Sequence, residues 1–472
     1  MEQIKHNCGL FGVLGNPDAS RQAYLGLYAL QHRGQESSGI VTSDGSCLHG
    51  YKSLGLVNEV FSDEILGRLE GDAAIGHNRY STTGSTRACN VQPLVVELKG
   101  QQIAIAHNGN LVNALSLRAE MEAAGSIFQS TMDSEIIVHL MAKSGKDSVE
   151  DMLKEALARV HGAYSLLMLT LDKLIAVRDP SGFRPLCIGK KDSSFYFASE
   201  SCGLDTVQAD FIRDVLPGEM VVAAGGGFES HRFAFDGRPA YCVFELIYFS
   251  RPDSKVFGVS VDAVRKELGK RLAREHPAEA DLVMSVPDSS NAAALGYSME
   301  SGLQLELGLI RNHYVGRTFI YPTSELRHNR VRIKFNPVRE LLQDKRIVVV
   351  DDSIVRGTTS KRLMEMLRAA GAREIHLRIS SPPIKDPCFY GIDTPRRDDL
   401  IAASKSVEEI REYLGVDSLG YLSVDGLLES TGLPKGNFCA ACFTGDYPVG
   451  FESAPDKHAF EQFDDWALRE EK

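Results

Sequence analysis

Apolar positions along the chain follow two rhythms. Some recur at helical spacing; others run unbroken for a few residues and stop at a polar or glycine-rich cluster. Residues 347–350, IVVV, run straight into Asp351 and Asp352. After a short loop, Leu363, Met366 and Leu367 recur at helical spacing, and Gly371 is placed to end that helix. The pattern predicts strand, acidic pair, loop, helix. A β-branched run without polar alternation predicts a strand buried on both faces, as in a parallel sheet. Residues 281–298, DLVMSVPDSSNAAALGYS, predict a second strand–loop–helix. Towards the amino terminus, CGLFGVLG from Cys8 predicts a strand, and Tyr24, Leu27, Tyr28 and Leu30 predict a helix. Between 150 and 232, AYSLLMLT, KLIAVRDP, PLCIGK, SFYFASES and MVVAAG predict further strands. These form the second layer of a sandwich of sheets flanked by helices.

The polar interruptions are not ordinary loops. QHRGQESSGI, GHNRYSTTGS (76–85), IAHNGNLVN (105–113) and FQSTMDSEII (128–137) sit between apolar strands. Buried strands that end in Asn, Arg and Gly predict a small-molecule site. In the later half, ligands of a parallel sheet bind beyond the carboxyl ends of its strands, where Asp351 and Asp352 fall. The following loop offers backbone N–H groups and threonine hydroxyls at a helix start, a setting for phosphate. Phosphate in the loop and hydroxyls or a cation at the aspartates predict a phosphorylated sugar. Residues 314–337 are basic, with Arg317, Arg327, Arg330, Arg332 and Lys334, flanked by Arg311 and Arg339. Such a run is usually a solvated face; over an anionic substrate it reads as a lid.

Composition narrows the classes. The chain has 472 residues, room for two or three domains, with 43% hydrophobic and 24% charged residues. A net charge of −11 gives no support for a nucleic-acid surface. There is no apolar run long enough to span a bilayer, and MEQIKHNCGLFG lacks a signal-peptide core. A cytoplasmic protein is expected. Nine cysteines in a reducing compartment point to metal or catalytic roles rather than a disulfide framework. Cys439-x-x-Cys442, with the isolated Cys242 and Cys388, offers four soft ligands for zinc or an iron–sulfur cluster, which spacing cannot separate. Cys47, Cys89, Cys187 and Cys202 have no partner spacing.

These motifs carry a resemblance. The four polar clusters, in content and order, resemble the class II glutamine amidotransferase domain, an N-terminal-nucleophile hydrolase with an αββα sandwich. IVVVDDSIVRGTTS closely resembles the phosphoribosyl pyrophosphate (PRPP) motif of type I phosphoribosyltransferases, and no P-loop pattern occurs. Over nearly its full length the chain resembles the amidophosphoribosyltransferases. The domains implied are a propeptide (1–7), an amidotransferase domain (8–232), a phosphoribosyltransferase domain with a parallel sheet and the cluster cysteines (240–450), and an acidic tail (451–472).

The resemblance implies roles. Cys8 is the nucleophile, and its own α-amine is the base once the Asn7–Cys8 bond is cut. A free α-amine titrates near operating pH and lies within reach of its own side chain. Asn108 and Gly109 form the oxyanion hole. Arg79 grips the glutamine α-carboxylate, Asp133 its α-ammonium, and Arg33 and Tyr80 close the pocket. Asp351 and Asp352 hold the ribose hydroxyls, directly or through Mg²⁺, with Ser289 as a further Mg²⁺ contact. Ser353, Ile354, Val355, Arg356, Gly357, Thr358 and Thr359 cradle PRPP, and Arg317 and Lys334 contact its pyrophosphate. The branch with a propeptide carries a [4Fe–4S] cluster, here on Cys242, Cys388, Cys439 and Cys442. The expected activity is the first committed step of purine synthesis, making 5-phosphoribosylamine, glutamate and pyrophosphate from glutamine, PRPP and water. AMP or GMP are expected feedback inhibitors and a homotetramer the assembly. The alternatives are another class II glutamine amidotransferase or a PRPP-sensing regulator. The first would need a different synthetic site, and the second normally carries a DNA-binding module, which is absent here.

Overall fold

The computed structural model describes residues 8–80, 87–235, 237–312, 333–394 and 396–451. The amino-terminal half is built on two antiparallel sheets. One runs Asp210–Asp214, Cys187–Lys191, Ser194–Ala198, Gly9–Leu14, Ala73–Arg79, Ser37–Ser43, Leu48–Leu54. The other runs Gly227–Arg232, Glu219–Ala224, Leu174–Arg178, Gly162–Leu169, Gln101–Leu111, Leu94–Leu98. Leu10, Ile75, Ala104, Ala106, Leu167, Leu169 and Phe197 pack between the sheets. On the outer face of the first sheet, Ala23, Leu27 and Leu30 of the first helix and its exit pack against Phe11 and Tyr196. Helices Ala114–Ala123, Ser134–Lys143 and Val149–Leu157 cover the second. Each central strand is therefore buried on both faces, which is why these strands read as apolar runs without alternation. This is the expected αββα sandwich, but the five strands expected between 150 and 232 do not make up one layer: Cys187–Lys191 and Ser194–Ala198 join the first sheet, where Ser194–Ala198 pairs with Gly9–Leu14, and only Gly162–Leu169, Leu174–Arg178 and Glu219–Ala224 lie in the second.

The carboxyl-terminal half holds a four-stranded parallel sheet ordered Leu282–Ser285, Arg346–Asp351, Glu374–Ile379, Ser418–Tyr421. The strand Arg346–Asp351 sends Val348 and Val350 to one core and Ile347 and Val349 to the other. The helix after it spans Thr358–Ala369, with Ala370 as its cap and Gly371 in the left-handed region just beyond. Leu363, Met364 and Leu367 are its buried face, with Met366 half-buried at the edge. Helices Val261–Glu275 and Asn291–Ser301 cross at their glycines. A Cβ on Gly269 would lie 1.9 Å from the Ala293 carbonyl oxygen, and one on Gly296 would lie 1.9 Å from that of Lys266.

That close approach is testable against a neutral glycine. Gly67, in the helix Asp63–Arg68, has open space where a Cβ would go. Gly269→Ala is expected to lower stability by about 2–3 kcal/mol through overpacking. Gly67→Ala is expected to raise it by about 0.4–1 kcal/mol by restricting the unfolded chain. Urea-unfolding midpoints of the two variants check both signs.

Candidate functional site

Two sites assemble from the expected residues. The first lies where the strand Gly9–Leu14 starts. Its antiparallel pairing with Ala73–Arg79 sets Gly9 opposite Asn78 and brings residues 79–80 beside Cys8. The Cys8 thiol is buried and donates to the Tyr80 carbonyl at 3.7 Å. Burial pushes its pKa up to about 11, and the nearby Arg79 charge only partly offsets this. At neutral pH the thiol is protonated and needs a base to become a nucleophile. Glu36 and Asp133 also lie close enough to raise it.

Asn108 and Gly109 reach the site on the strand Gln101–Leu111 of the facing sheet. Asn108 is 1% exposed, and neither its side-chain oxygen nor its nitrogen has a hydrogen-bond partner among the described residues. An amide buried in this way costs stability unless a partner satisfies it. Gly109 has φ 153°, and a Cβ there would lie 2.0 Å from the Ala163 carbonyl oxygen, so only glycine fits. Asp133 is buried. One of its oxygens is 3.2 Å from His107 Nδ1 and the other accepts the Leu111 N–H at 3.0 Å. Burial pushes its carboxyl up, but His107 and the backbone donors outweigh this and hold it below its ordinary value.

Arg33 is the clearest departure from expectation. Instead of facing a pocket, its guanidinium is fully buried and fully engaged. Nε donates to the Cys8 carbonyl at 3.1 Å, Nη1 to Glu200 and to Glu245 at 3.0 Å, and Nη2 to Glu245 at 2.8 Å. A cation buried here needs those carboxylates, so a ligand carboxylate would have to displace one.

The second site lies at the carboxyl ends of Leu282–Ser285 and Arg346–Asp351, which pair in parallel. Asp351 and Asp352 are 9% and 3% exposed. Asp352 accepts from the hydroxyls of Ser289 at 2.5 Å and Ser353 at 2.6 Å, and Asp351 accepts from Ser290 at 3.3 Å. Burial raises both carboxyls above the ordinary 3.8. The neighbouring carboxylate adds to this at Asp351, while at Asp352 the hydroxyls of Ser289 and Ser353 work against it. The Lys334 charge reaches both and favours ionisation. Beneath them, Arg265 is buried with Nε on the Leu246 carbonyl and Nη2 on that of Ser250. Burial lowers its pKa to about 10 against the pull of Asp352.

In the loop that follows, Ile354 and Val355 turn their side chains into the cores, so only their backbone faces a ligand. Arg356 pairs with Asp399 at 3.0 Å. Gly357 has φ 78° and leads into the helix opened by Thr358 and Thr359. Arg317 and most of the basic stretch lie outside the described residues, as do residues 1–7 and 452–472.

The four expected cluster cysteines share one neighbourhood. Tyr241–Cys242 pairs in parallel with Phe438–Cys439, setting Cys242 beside Cys439. Lys385 and Asp386 donate backbone N–H groups to the Cys442 carbonyl, which anchors the loop bearing Cys388. Burial, and then the neighbouring cysteines, push the Cys439 and Cys442 thiols up, while Cys242 rises to about 11 by burial. Among the described residues no three or more donors are grouped closely enough to hold a metal ion. Neutral thiols gain nothing by converging, so their spacing is not decisive. One buried and three half-buried cysteines beside the Arg184 charge, which lowers the Cys242 pKa, suit a thiolate-bound metal or cluster.

Sequence reasoning missed His107, Arg265, Glu200 and Glu245. The available signal was a charged or imidazole group inside an apolar, strand-like or helical run, such as Glu245 in VFELIYF.

Residues 77–206 match the model of a glutamine amidotransferase domain. The chain is 49% identical over 451 residues to the amidophosphoribosyltransferase of Bacillus subtilis, covering 94% of this chain and 95% of that one. It is 49% identical over 467 residues to that of Methanocaldococcus jannaschii, covering 94% and 98%. A solved structure described as the allosteric regulatory enzyme of purine biosynthesis aligns with TM-score 0.92 at 48% identity, covering 96% of this chain and 99% of that one. The B. subtilis glutamine PRPP amidotransferase complexed with ADP and GMP aligns with TM-score 0.91 at 48% identity, covering 96% and 100%.

The aspartate pair makes a prediction about stability. Both carboxyls are raised in the folded state, so the folded chain holds protons that the unfolded chain has already released. The pair's contribution to stability in the absence of ligand is therefore fully present below the ordinary carboxylate value and is lost as pH rises through the raised values. Asp352→Asn is expected to raise Tm at neutral pH by about 2–4 °C and to flatten that decline. Thermal melts across pH without ligand measure both.

Proposed function

The chain belongs to the amidophosphoribosyltransferase family, the enzymes of the first step of purine biosynthesis, and on that premise we propose how its own residues divide the reaction. Cys8 attacks the glutamine carboxamide. The thiol proton passes to the Cys8 α-amine, which is freed when residues 1–7 are removed. A thioester forms, ammonia leaves, and water releases glutamate. The Asn108 amide, buried without a hydrogen-bond partner among the described residues, is the observation that supports this reading: it leaves a donor for the developing oxyanion, alongside the Gly109 backbone. Arg79 takes the α-carboxylate and Asp133 the α-ammonium, with Tyr80 at the pocket wall. Arg33 positions the nucleophile through its carbonyl.

At the second site PRPP places its ribose hydroxyls on Asp351 and Asp352. Its 5′-phosphate rests on the backbone of 353–357 and on Thr358 and Thr359. Ammonia bonds to C1 of the ribose as the bond to pyrophosphate breaks. Lys334 and Arg317 balance the pyrophosphate charge. The chain contributes position and electrostatics rather than a covalent intermediate at this site. Mg²⁺, held by Asp351, Asp352 and Ser289, would supply further positive charge to the leaving group. Cys242, Cys388, Cys439 and Cys442 would hold a [4Fe–4S] cluster that cross-links segments distant in sequence; zinc is the alternative for the same soft donors. AMP and GMP suit a site shaped for a phosphorylated ribose. We also read the protein as a cytoplasmic homotetramer. No helix among the described residues is long and apolar enough to cross a membrane.

Two experiments test this reading. Cys8→Ala is expected to abolish glutamine-dependent product while high ammonium still supports synthesis, and Asp352→Asn to abolish both. Loss of the ammonium reaction in Cys8→Ala, measured by pyrophosphate release, would count against two separable sites. Intact mass, metal content and visible absorbance of anaerobically purified protein report on the leader and the cluster. The expectation is a chain lacking residues 1–7, brown, with iron. A colourless zinc protein would assign zinc, and a metal-free sample that retains activity would remove the metal from the proposal.

A further inference from the structure

Glu245 opens the five-residue turn Glu245–Phe249 that leads into the carboxyl-terminal half, and its carboxylate is fully buried. Both its oxygens take the Arg33 guanidinium, at 2.8 and 3.0 Å. The Ser250 hydroxyl donates to Oε2 at 2.9 Å, and Arg184 Nη1 lies 3.3 Å from Oε1. Arg33 in turn holds the Cys8 carbonyl through Nε at 3.1 Å. The other arms of the network also cross between the halves. Glu200 accepts the Arg251 N–H at 2.8 Å and the Ser254 hydroxyl at 2.7 Å, and Arg184 donates to the Tyr390 carbonyl at 3.0 and 2.6 Å.

A bidentate carboxylate–guanidinium pair fixes the plane and position of the guanidinium. Here that fixes the hydrogen bond to the backbone of the nucleophile itself. We infer that Glu245 is a positioning residue for the glutamine half-reaction: through Arg33 it sets the place of Cys8, and it ties that place to the turn that begins the transferase half. This rests on the reading of Cys8 as the nucleophile. A movement of residues 245–250 shifts the Glu245 carboxylate, and the guanidinium and the Cys8 carbonyl follow. Arg265, beneath the ammonia-using site, meets this turn through the Leu246 and Ser250 carbonyls, whereas the Glu245 carboxylate holds Arg33.

The test uses the full, metal-replete enzyme. Glu245→Gln keeps the shape and one acceptor but loses the charge and the bidentate grip. Glutamine-dependent kcat is expected to fall about ten-fold, the scale carried by a small misplacement of a reacting group, with KM for glutamine and the ammonium-dependent rate within about two-fold. Alkylation of Cys8 by a glutamine-like chloroketone is expected to slow in parallel. Equal losses in both reactions, a rise in KM alone, or an unchanged glutamine rate would each overturn the inference. If Glu245→Gln does not fold, Ser250→Ala decides. Removing that one hydroxyl donor to the Glu245 carboxylate is expected to lower only the glutamine-dependent kcat, by about two- to three-fold, since it acts on Cys8 only through Glu245 and Arg33, and no selective loss overturns the inference. Cys8→Ala measured alongside separates the two readings. If it retains glutamine activity, the nucleophile assignment is wrong. If it is inactive while Glu245→Gln is unchanged, only the positioning role is wrong.

Discussion

The arrangement depends on one buried guanidinium. Arg33 has no exposed side-chain surface, and it faces two carboxylates that have none either. Burying such a group is unfavourable by several kcal/mol unless the partners are close and well aligned. The attraction of the carboxylates compensates for that penalty, so the trio adds little net stability over an apolar filling. What it adds is geometry. Glu200 precedes the helix Ser201–Thr206 of the sandwich, Glu245 opens the transferase half, and the Cys8 carbonyl lies at the reacting strand. Moving any of them leaves a charge buried without its partner. The halves are thereby held in a register that apolar contacts alone would not specify.

Much of this was legible in the chain. A run such as IVVV, unrelieved by polar positions, has few folded solutions other than a strand covered on both sides, and the structure places it there. The local sites were legible for a similar reason. Asp351 and Asp352 at a strand end, and Asn108-Gly109 at the end of another, are polar groups where burial makes them costly. What could not be read was which distant groups share a charge. Arg33 looked like a residue of the glutamine pocket because its sequence neighbours are. Its partners lie 167 and 212 residues away, and nothing local to any of the three encodes the contact. Arg265 is the same case, an arginine on an otherwise unremarkable helix that ends beneath Asp352. Ile354 and Val355 show the converse. Position in a loop motif suggested ligand contact, but their side chains are core, and the motif acts through backbone.

Burial opposes ionisation at both sites. Burial raises the Cys8 thiol and both aspartates, and in neither place do the fixed cations fully compensate. The Cys8 thiol, pushed up to about 11, is protonated at neutral pH, and the aspartate pair ionises less readily than free carboxyls. On the proposed reading, an amine beside the thiol and a cation at the aspartates offset that penalty.

The loop after Cys388 shows how closely the two chemistries are joined. The Phe389 carbonyl accepts from the Asn110 side chain at 2.9 Å, and a Cβ on Gly391 would come within 2.9 Å of the Gly109 backbone. The strand that carries Asn108 and Gly109, the proposed oxyanion donors, is therefore packed directly against a segment of the transferase half. Tyr390, between those contacts, takes two hydrogen bonds from Arg184, which also faces Glu245. Two routes then leave the transferase half, one through Glu245 and Arg33 to the nucleophile, the other through residues 389–391 to the oxyanion strand. Arg184 touches both. A shift along one route strains the other unless the nucleophile and the oxyanion donors move together. Their relative placement is the quantity on which attack at the glutamine carbon depends, so a rigid coupling of this kind preserves it while the two halves move as units.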